Sequence, residues 1–454
     1  MSETQIELFR AIIAVVISGA ILNFYYRRKI AAIDALVYGL ATQAYVIYLI
    51  GPTITPLFIV GYAFFVEEMI KFLTSRLSVK KRIFKIIILP AFSSAVVFAI
   101  FIFDPNILRV LGDSFSFYLR PFYFYFKQFL PYFAMGYKVY KERNRYGLNY
   151  FFGTLKTVAT FSCYIAMFQL LVYAGLRNAL FSEILGNRRG YMMSIGGIAF
   201  IRLQAFFIEP KGLAAFLGVA IPLFVKDKMF KKAALASFVG VLTYAATFPV
   251  ILFSAFVSLV AFGKIQTLRT NLFGSMAIIL LMFISLSAAK DYLLNLYVEN
   301  SNSVVADLLL KRTIDLRYSS GNVMKGDMLL GIPLQSDLEG PVYRYFLDHP
   351  LLLLSGYGPA NDSFLPAHYW YGQWDYWLRL EGKPSSMDMR WFYYLSQFGA
   401  PIFLVILWAL TDVKDEPFTT KYFSFLLLGW FFANIDILVV IMYSLLYQSR
   451  RRFS

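Results

Sequence analysis

The sequence predicts an all-α, polytopic integral membrane protein with about 12–13 transmembrane helices and one large external loop. The first observation is composition: of 454 residues, 59% are hydrophobic and only 15% are charged, whereas soluble domains carry about 25% charged residues. The second is a mean hydropathy of +0.60. The third is the recurrence of apolar runs of about 20 residues, the length that a helix needs to cross a bilayer.

The apolar runs place the candidate spans along the chain. They lie near 5–25, 31–50, 54–73, 86–103, 115–137, 151–174, 206–225, 233–247, 248–262, 271–289, 392–411 and 421–448. Because an interior proline removes a helical hydrogen bond, we expect a tight hairpin at Phe248-Pro249. The last run is long, and the polar stretch "ANID" at 433–436 predicts its division into two short helices.

Basic clusters predict the orientation, because short cytoplasmic loops are enriched in lysine and arginine. Five such clusters fall in alternate loops, which places them in the cytoplasm and the N-terminus outside. Dividing the last run also keeps the tail at 450–452 inside. The clusters are Arg27, Arg28 and Lys29; Lys80, Lys81, Arg82 and Lys85; Lys138, Lys141, Arg143 and Arg145; Lys226, Lys228, Lys231 and Lys232; and Lys264 and Arg269.

This topology gives a single transmembrane domain, 1–454, with two sizeable external segments at 175–205 and 290–391. The second segment carries nine basic and twelve acidic residues, as an external loop should. The first opposes the bias, with one acidic residue against Arg177, Arg188, Arg189 and Arg202. The planar guanidinium group of arginine can donate two parallel hydrogen bonds to a phosphate, so an anionic ligand is one interpretation of these residues. For Arg188 and Arg189, a headgroup contact or a surface ion pair is the alternative.

Aromatic residues are concentrated in the large external loop. Four of the six tryptophans lie between 364 and 394, namely Trp370, Trp374, Trp377 and Trp391. Flat rings beside hydrogen-bonding groups suit the apolar face and hydroxyl rim of a sugar. An interfacial aromatic belt is the alternative, because tryptophan and tyrosine also collect at headgroup depth.

The residues that usually bind metals or nucleotides are scarce. His349 and His368 are the only histidines, and Cys163 is the only cysteine, so no ordinary zinc site is predicted. His349 precedes a proline, where a turn role is the alternative to substrate binding. There is no GxxxxGK[ST] loop for ATP. We therefore predict no metal and no cofactor, and assign the net charge of +16 to membrane orientation rather than to nucleic acid.

Two motifs carry a resemblance to a known family. The spacing R-x6-E-P-x-x-L-A, at Arg202, Glu209, Pro210, Leu213 and Ala214, resembles bacterial O-antigen and capsule polymerases of the Wzy type. The stretches "KRTIDLRYSSGNVM" and "HPLLLLSGYGPANDSFLPAH" resemble the external loop of that family. The resemblance covers about 200–449 in pattern and the first 150 residues in hydropathy only.

The related O-antigen ligases carry a histidine motif where their last long loop enters a span. In this chain Asp388 and Met389 stand in that register, and Gly399 keeps the glycine. The histidine is absent, which favours a polymerase over a ligase.

The resemblance implies a GT-C-like glycosyltransferase in the bacterial inner membrane. Its substrates would be undecaprenyl-diphosphate-linked glycans as both donor and acceptor, joined by metal-independent, inverting transfer at the outer face. Membrane lipids and a chain-length-regulating co-polymerase of the Wzz type are the implied partners. The alternatives are a ligase using the same donor and, in another class, a lipid-linked oligosaccharide flippase.

Within this interpretation the site residues fall into two groups. Arginines would stabilise the diphosphate leaving group and a carboxylate would accept the proton of the attacking hydroxyl; these catalytic candidates are Arg202, Arg312, Arg317, Glu209 and Asp388. Substrate contacts are predicted at Arg188, Arg189, Lys211, His349, His368, Trp370, Trp374 and Arg390.

Each catalytic candidate has a structural alternative. Glu209 could pair with Arg202 or Lys211. Arg312 and Arg317 could form helical ion pairs with Asp307 and Asp315. Asp388 could cap the helix that begins near Trp391.

Overall fold

The computed structural model describes residues 3–48, 53–74, 130–176, 192–195, 198–245, 247–264, 328–329, 332–334, 339–358, 367–369, 389–411, 417–432 and 435–446, with a few isolated residues besides. These residues are predominantly helical. Among them, three helices are long and apolar enough to cross a membrane, at Thr4–Tyr26, Leu148–Gly175 and Arg390–Thr411. The protein is therefore a helical membrane protein, as its composition predicts.

The N-terminal part contains five described helices, and most follow the apolar runs. The run at 31–50 does not form one span: its helix stops at Ala41, and a short antiparallel hairpin follows. The elements are α1 (Glu3–Tyr26), α2 (Ala32–Ala41), β1 (Ile47–Tyr48), β2 (Thr53–Ile54), α3 (Pro56–Thr74), α4 (Leu130–Glu142) and α5 (Leu148–Leu176).

The middle of the chain contains a second antiparallel hairpin followed by three helices. The helix break expected at Phe248-Pro249 lies a few residues earlier, before Thr247. Pro249 is the third residue of its helix, and in the first turn a proline costs no intrahelical hydrogen bond. The elements are β3 (Met192–Ile195), β4 (Ile198–Ile201), α6 (Pro210–Lys226), α7 (Phe230–Leu242) and α8 (Thr247–Lys264).

The C-terminal part contains short helices within the range predicted as the large loop, followed by apolar helices. The predicted division of the last run at 433–436 is confirmed, because one helix ends at Phe432 and the next begins at Asp436. The elements are β5 (Met328–Leu329), β6 (Ile332–Pro333), α9 (Glu339–Asp348), α10 (Leu352–Ser355), a 3-10 helix (Ala367–Tyr369), α11 (Arg390–Thr411), α12 (Pro417–Phe432) and α13 (Asp436–Leu446).

Polar contacts show which helix ends meet. Tyr25, near the end of α1, donates to Glu142 at the end of α4 over 2.9 Å. Tyr150, in the first turn of α5, donates to Asp34 at the start of α2 over 2.5 Å. Further along α5, Lys156 pairs with Asp227, which follows α6.

Three predicted cytoplasmic clusters, at 27–29, 138–145 and 226–232, therefore lie at the same end of the bundle. We call this the basic end. Lys226 also lies 4.3 Å from the ring of Phe418, near the start of α12. The start of α6 and the end of α12 are consequently at the opposite, distal end.

The core lies between the helices and is continuous from α1 to α13. Leu36, Phe64, Phe151, Phe216 and Met442 are among its fully buried side chains. Cys163 is buried in this core.

Candidate functional site: a buried polar segment at the distal end

An irregular segment, residues 202–209, connects β4 to α6, and its first four residues lie inside the protein. Arg202, Leu203, Gln204 and Ala205 are all buried. A buried segment without helical structure must bond its backbone groups elsewhere. Non-helical backbone at membrane depth is tolerated only inside protein or beside a cavity, and in transporters such breaks hold the ligand site.

Three neighbouring elements supply the hydrogen bonds of this segment. The amide of Leu203 donates to the Leu242 carbonyl at the end of α7 over 3.1 Å. The amide of Ala44, beyond α2, donates to the Phe206 carbonyl over 2.7 Å. The buried side chain of Gln169, on α5, donates to the Ala205 carbonyl over 2.8 Å. The segment is thus fixed by α5, by the end of α7 and by the turn that follows α2.

Arg202 is held at the C-terminal end of α7. Its Nε atom donates to the Thr243 carbonyl over 3.0 Å, and only 7% of the residue is exposed. The carbonyl end of a helix carries partial negative charge, which stabilises a cation there. The structure therefore places a positively charged guanidinium group inside the distal end of the bundle, with one of its hydrogen bonds made to the Thr243 carbonyl.

Glu209 occupies the N-cap position of α6 with extended backbone, at φ −146° and ψ 153°. Its side chain is exposed and makes no capping hydrogen bond. Pro210 follows at the first helical position, where its missing N–H costs nothing. Within the described part of the chain, no ion pair joins Glu209 to Arg202 or Lys211, so the structure does not show the pairing alternative.

A second buried arginine lies near Tyr45, a residue whose ring contacts this segment. Arg10, on α1, is 8% exposed and acts electrostatically on the phenol of Tyr45. The Tyr45 ring in turn lies 5.4 Å from the ring of Phe206. Sequence reasoning missed Arg10, although an arginine inside an apolar run is itself a signal of function.

A second polar group at the distal end joins α11 to α13. Arg390 donates from Nε to Oδ2 of Asp436 over 2.9 Å, and Tyr394 donates to the same oxygen over 3.1 Å. The guanidinium carbon lies 4.6 Å from the Tyr393 ring centre. Oδ1 of Asp436 is buried and accepts no hydrogen bond from the described residues. Asp436 was overlooked because it was interpreted only as part of a helix break.

The stretch "HPLLLLSGYG" docks into a break in α11. Gly399 has φ 77°, outside the helical region, and Pro401 has no N–H to donate to the Gln397 carbonyl. The amide of Gly358 donates to that carbonyl over 3.2 Å, and the amide of Tyr357 to the Ser396 carbonyl over 3.0 Å. The loop therefore replaces the helical hydrogen bonds that the break removes.

The two histidines differ in their surroundings. His349 is half-buried, its ring is 4.8 Å from the Tyr345 ring, and its carbonyl accepts from the Leu352 amide in the turn between α9 and α10. These contacts agree with the alternative in which His349 forms a turn and does not bind substrate. His368 is exposed, with its ring 4.1 Å from that of Tyr369.

Tyr369 ties the 3-10 helix to α9. Its hydroxyl donates to Asp348 over 2.7 Å, and its carbonyl accepts from Arg344 over 2.8 Å. Burial, together with the negative charge of Asp348, raises the pKa of the Tyr369 phenol above its ordinary value. At the opposite end of α9, the buried carboxylate of Glu339 accepts from the Met389 amide over 3.2 Å. The large loop is thus attached to α11 at several points.

Several predicted site residues lie outside the described residues, and the structure says nothing of their positions. These are Arg188, Arg189, Arg312, Arg317, Trp370, Trp374 and Asp388. Across the described ranges, no group of three or more histidine, cysteine or acidic side chains could hold a metal ion.

In comparisons with protein families, curated proteins and solved structures, nothing matches this chain.

Proposed function

We propose that this protein is a polysaccharide polymerase of the inner membrane, a GT-C-like glycosyltransferase with about 12–13 spans. It would join polyprenyl-diphosphate-linked repeat units at the outer face. The observation that carries the proposal is the buried Arg202 in the irregular segment that leads directly into α6. This geometry supports the site suggested by the R-x6-E-P spacing.

The chemistry of the leaving group accounts for such an arginine. As the glycosidic bond to the diphosphate breaks, negative charge develops on the departing oxygen. A fixed guanidinium stabilises that charge without reorganisation, and it does so most strongly where water is scarce. The start of α6 adds the partial positive charge of a helix N-terminus. No metal is needed for this stabilisation.

Glu209 would take part in the other half of the reaction. The acceptor hydroxyl attacks the anomeric carbon, the carbon–oxygen bond to the diphosphate breaks, and the hydroxyl proton passes to the carboxylate. The exposed side chain of Glu209 stands at the helix start that follows Arg202. Attack opposite the leaving group inverts the anomeric centre.

The proposal includes the identity of the substrates. Undecaprenyl-diphosphate-linked glycans would be donor and acceptor, and a Wzz-type co-polymerase would set the chain length. Arg10 would add a second positive charge near the diphosphate.

The surface glycan of a deletion strain tests the proposal. Material with a single repeat unit is expected for a polymerase. Loss of all surface attachment would identify a ligase instead, and accumulation of lipid-linked repeats in the cytoplasm would identify a flippase.

Point variants test the site itself. We expect Arg202→Ala and Glu209→Ala to reduce polymer synthesis by about 10²–10³-fold, the usual cost of removing one group that stabilises a transition state. Lys231→Ala, at an exposed position of the basic end, should leave synthesis unchanged. Membrane levels of each variant must be equal. Normal polymer from both site variants would overturn the mechanism.

A further inference from the structure

A cavity of about 350 Å³ opens at the basic end, where α1, α3 and α4 all end. Its charged lining comprises Arg28, Arg145, Glu67 and Glu142, and three tyrosines supply much of its aromatic wall. The volume falls in the range of small-ligand sites, about 300–1,000 Å³. The cavity is at the opposite end of the bundle from Arg202 and is independent of the function proposed above.

The two guanidinium groups of this cavity have no acidic partner among the described residues. Arg28 and Arg145 form no ion pair with the described residues, although both line a cavity that also contains carboxylates. The guanidinium carbon of Arg145 lies 5.1 Å from the Tyr146 ring centre, which holds its side chain against the aromatic wall. Two arginine forks at one cavity form a natural site for a phosphate.

The two carboxylates of the cavity, Glu67 and Glu142, have different kinds of partners. Glu67 pairs with Lys71 and Lys138. Glu142 instead accepts hydrogen bonds from neutral groups, the Tyr25 hydroxyl at 2.9 Å and the Ala32 amide at 2.8 Å. No basic side chain within the described ranges pairs with it. Two neutral donors therefore orient the Glu142 carboxylate at the cavity.

A cavity lined by both positively and negatively charged side chains favours a zwitterionic ligand. A purely anionic ligand would meet Glu142, and a purely cationic one would meet the two arginines. Tyr26 is the last residue of the span Thr4–Tyr26, and the ends of spans lie at the depth of lipid headgroups, where tyrosine is enriched.

We propose that this cavity binds the headgroup of phosphatidylethanolamine. Its phosphate lies between Arg28 and Arg145, and its primary ammonium donates to Glu142 beside the tyrosine rings. Phosphatidylcholine carries the same charges, but its trimethylammonium group has no N–H to donate. The site therefore distinguishes the two lipids by a hydrogen bond.

Native mass spectrometry of the purified full-length protein tests this assignment. The protein in detergent is mixed with phosphatidylethanolamine, phosphatidylcholine or phosphatidylglycerol of identical acyl chains. We expect phosphatidylethanolamine to be retained about tenfold more than either, as one hydrogen bond to a charged group predicts. Equal retention of the three lipids would overturn the proposal.

Variants separate the two halves of the headgroup. The double variant R28Q/R145Q should lose phosphatidylethanolamine, and Glu142→Gln should bind it no better than phosphatidylcholine. Arg27→Gln is the matched control, because Arg27 is exposed next to Arg28 but does not line the cavity. If Glu142→Gln does not fold, the arginine variants decide the question, because both side chains are exposed. Unchanged lipid retention in R28Q/R145Q would contradict the assignment.

A competition experiment with phosphoethanolamine, which lacks acyl chains, shows whether the ligand is a membrane lipid or a soluble compound. We expect it to compete only weakly, because the acyl chains contribute burial in the bilayer. Tight binding of the soluble compound, with no preference for the lipid, would overturn the assignment to a lipid.

Discussion

Arg390 and Asp436 form a buried ion pair that links the first residue of α11 to the first residue of α13. The Nε to Oδ2 distance is 2.9 Å, and the two side chains are 11% and 7% exposed. Removing one member leaves the other charged, buried and uncompensated, which costs about 3–5 kcal/mol. We therefore expect Asp436→Asn to lower the thermal unfolding midpoint of the purified protein markedly.

The double variant Arg390→Gln, Asp436→Asn is the control for this prediction. It removes both charges, so it should recover part of the loss, and the difference between the variants isolates the interaction. An Asp436→Asn protein that unfolds at the wild-type temperature would show that the pair contributes nothing.

Lys138 and Lys71 offer a matched comparison, because both pair with Glu67. The Lys138 side chain is 4% exposed and also lies 2.9 Å from Glu68, whereas that of Lys71 is 56% exposed. Lys138→Gln should lower the free energy of unfolding by about 3 kcal/mol or more. Lys71→Gln should cost less than about 1 kcal/mol, because solvent screens an exposed pair. Equal effects of the two changes on thermal unfolding would be incompatible with this reasoning.

Because the chain is closely packed at the break in α11, we expect one methyl group added at Gly399 to destabilise the protein. At Gly399 an added Cβ would lie 2.5 Å from the Leu354 carbonyl oxygen, and φ is 77°. Gly399→Ala should therefore displace the docked loop and destabilise the protein by about 1–3 kcal/mol or more. Gly153→Ala, in the second turn of α5 with nothing within 4 Å of its added Cβ, should be neutral or slightly stabilising. Limited proteolysis around 356–358 would detect the displacement, and equal cleavage of both variants would argue against it.

The raised pKa of Tyr369 predicts that the stability of the folded protein decreases at alkaline pH. This pKa is raised in the folded protein by burial and by Asp348, so the folded state holds a proton that the unfolded chain releases above about pH 10. The stabilisation is fully present below that pH and is lost as the pH rises toward the folded pKa. The difference in unfolding midpoint between wild type and Tyr369→Phe should therefore shrink at alkaline pH. A constant difference between about pH 8 and pH 11 would contradict the assignment.

Within the described residues, the sequence predicted most of the apolar helices, because a window of about 20 apolar residues depends on local composition alone. Almost all of the predicted spans at 86–103 and 271–289, and most of the one at 115–137, lie outside the described residues. The sequence also located the break between α12 and α13, since the polar residues of "ANID" interrupt an apolar run. It identified Arg202 as a candidate because arginine opposes the charge bias expected outside. The same local reasoning failed at 31–50, where the helix ends after ten residues and a hairpin follows.

The tertiary structure alone decided which polar groups meet. Arg202 bonds to Thr243 rather than to Glu209, and Arg390 finds its partner in Asp436 on another helix. The cavity at the basic end likewise needs α1, α3 and α4 to end side by side. Composition and spacing are properties of single segments, whereas a buried ion pair or a cavity depends on which helices pack together. That choice is made by long-range packing and by the need to bond every buried polar group.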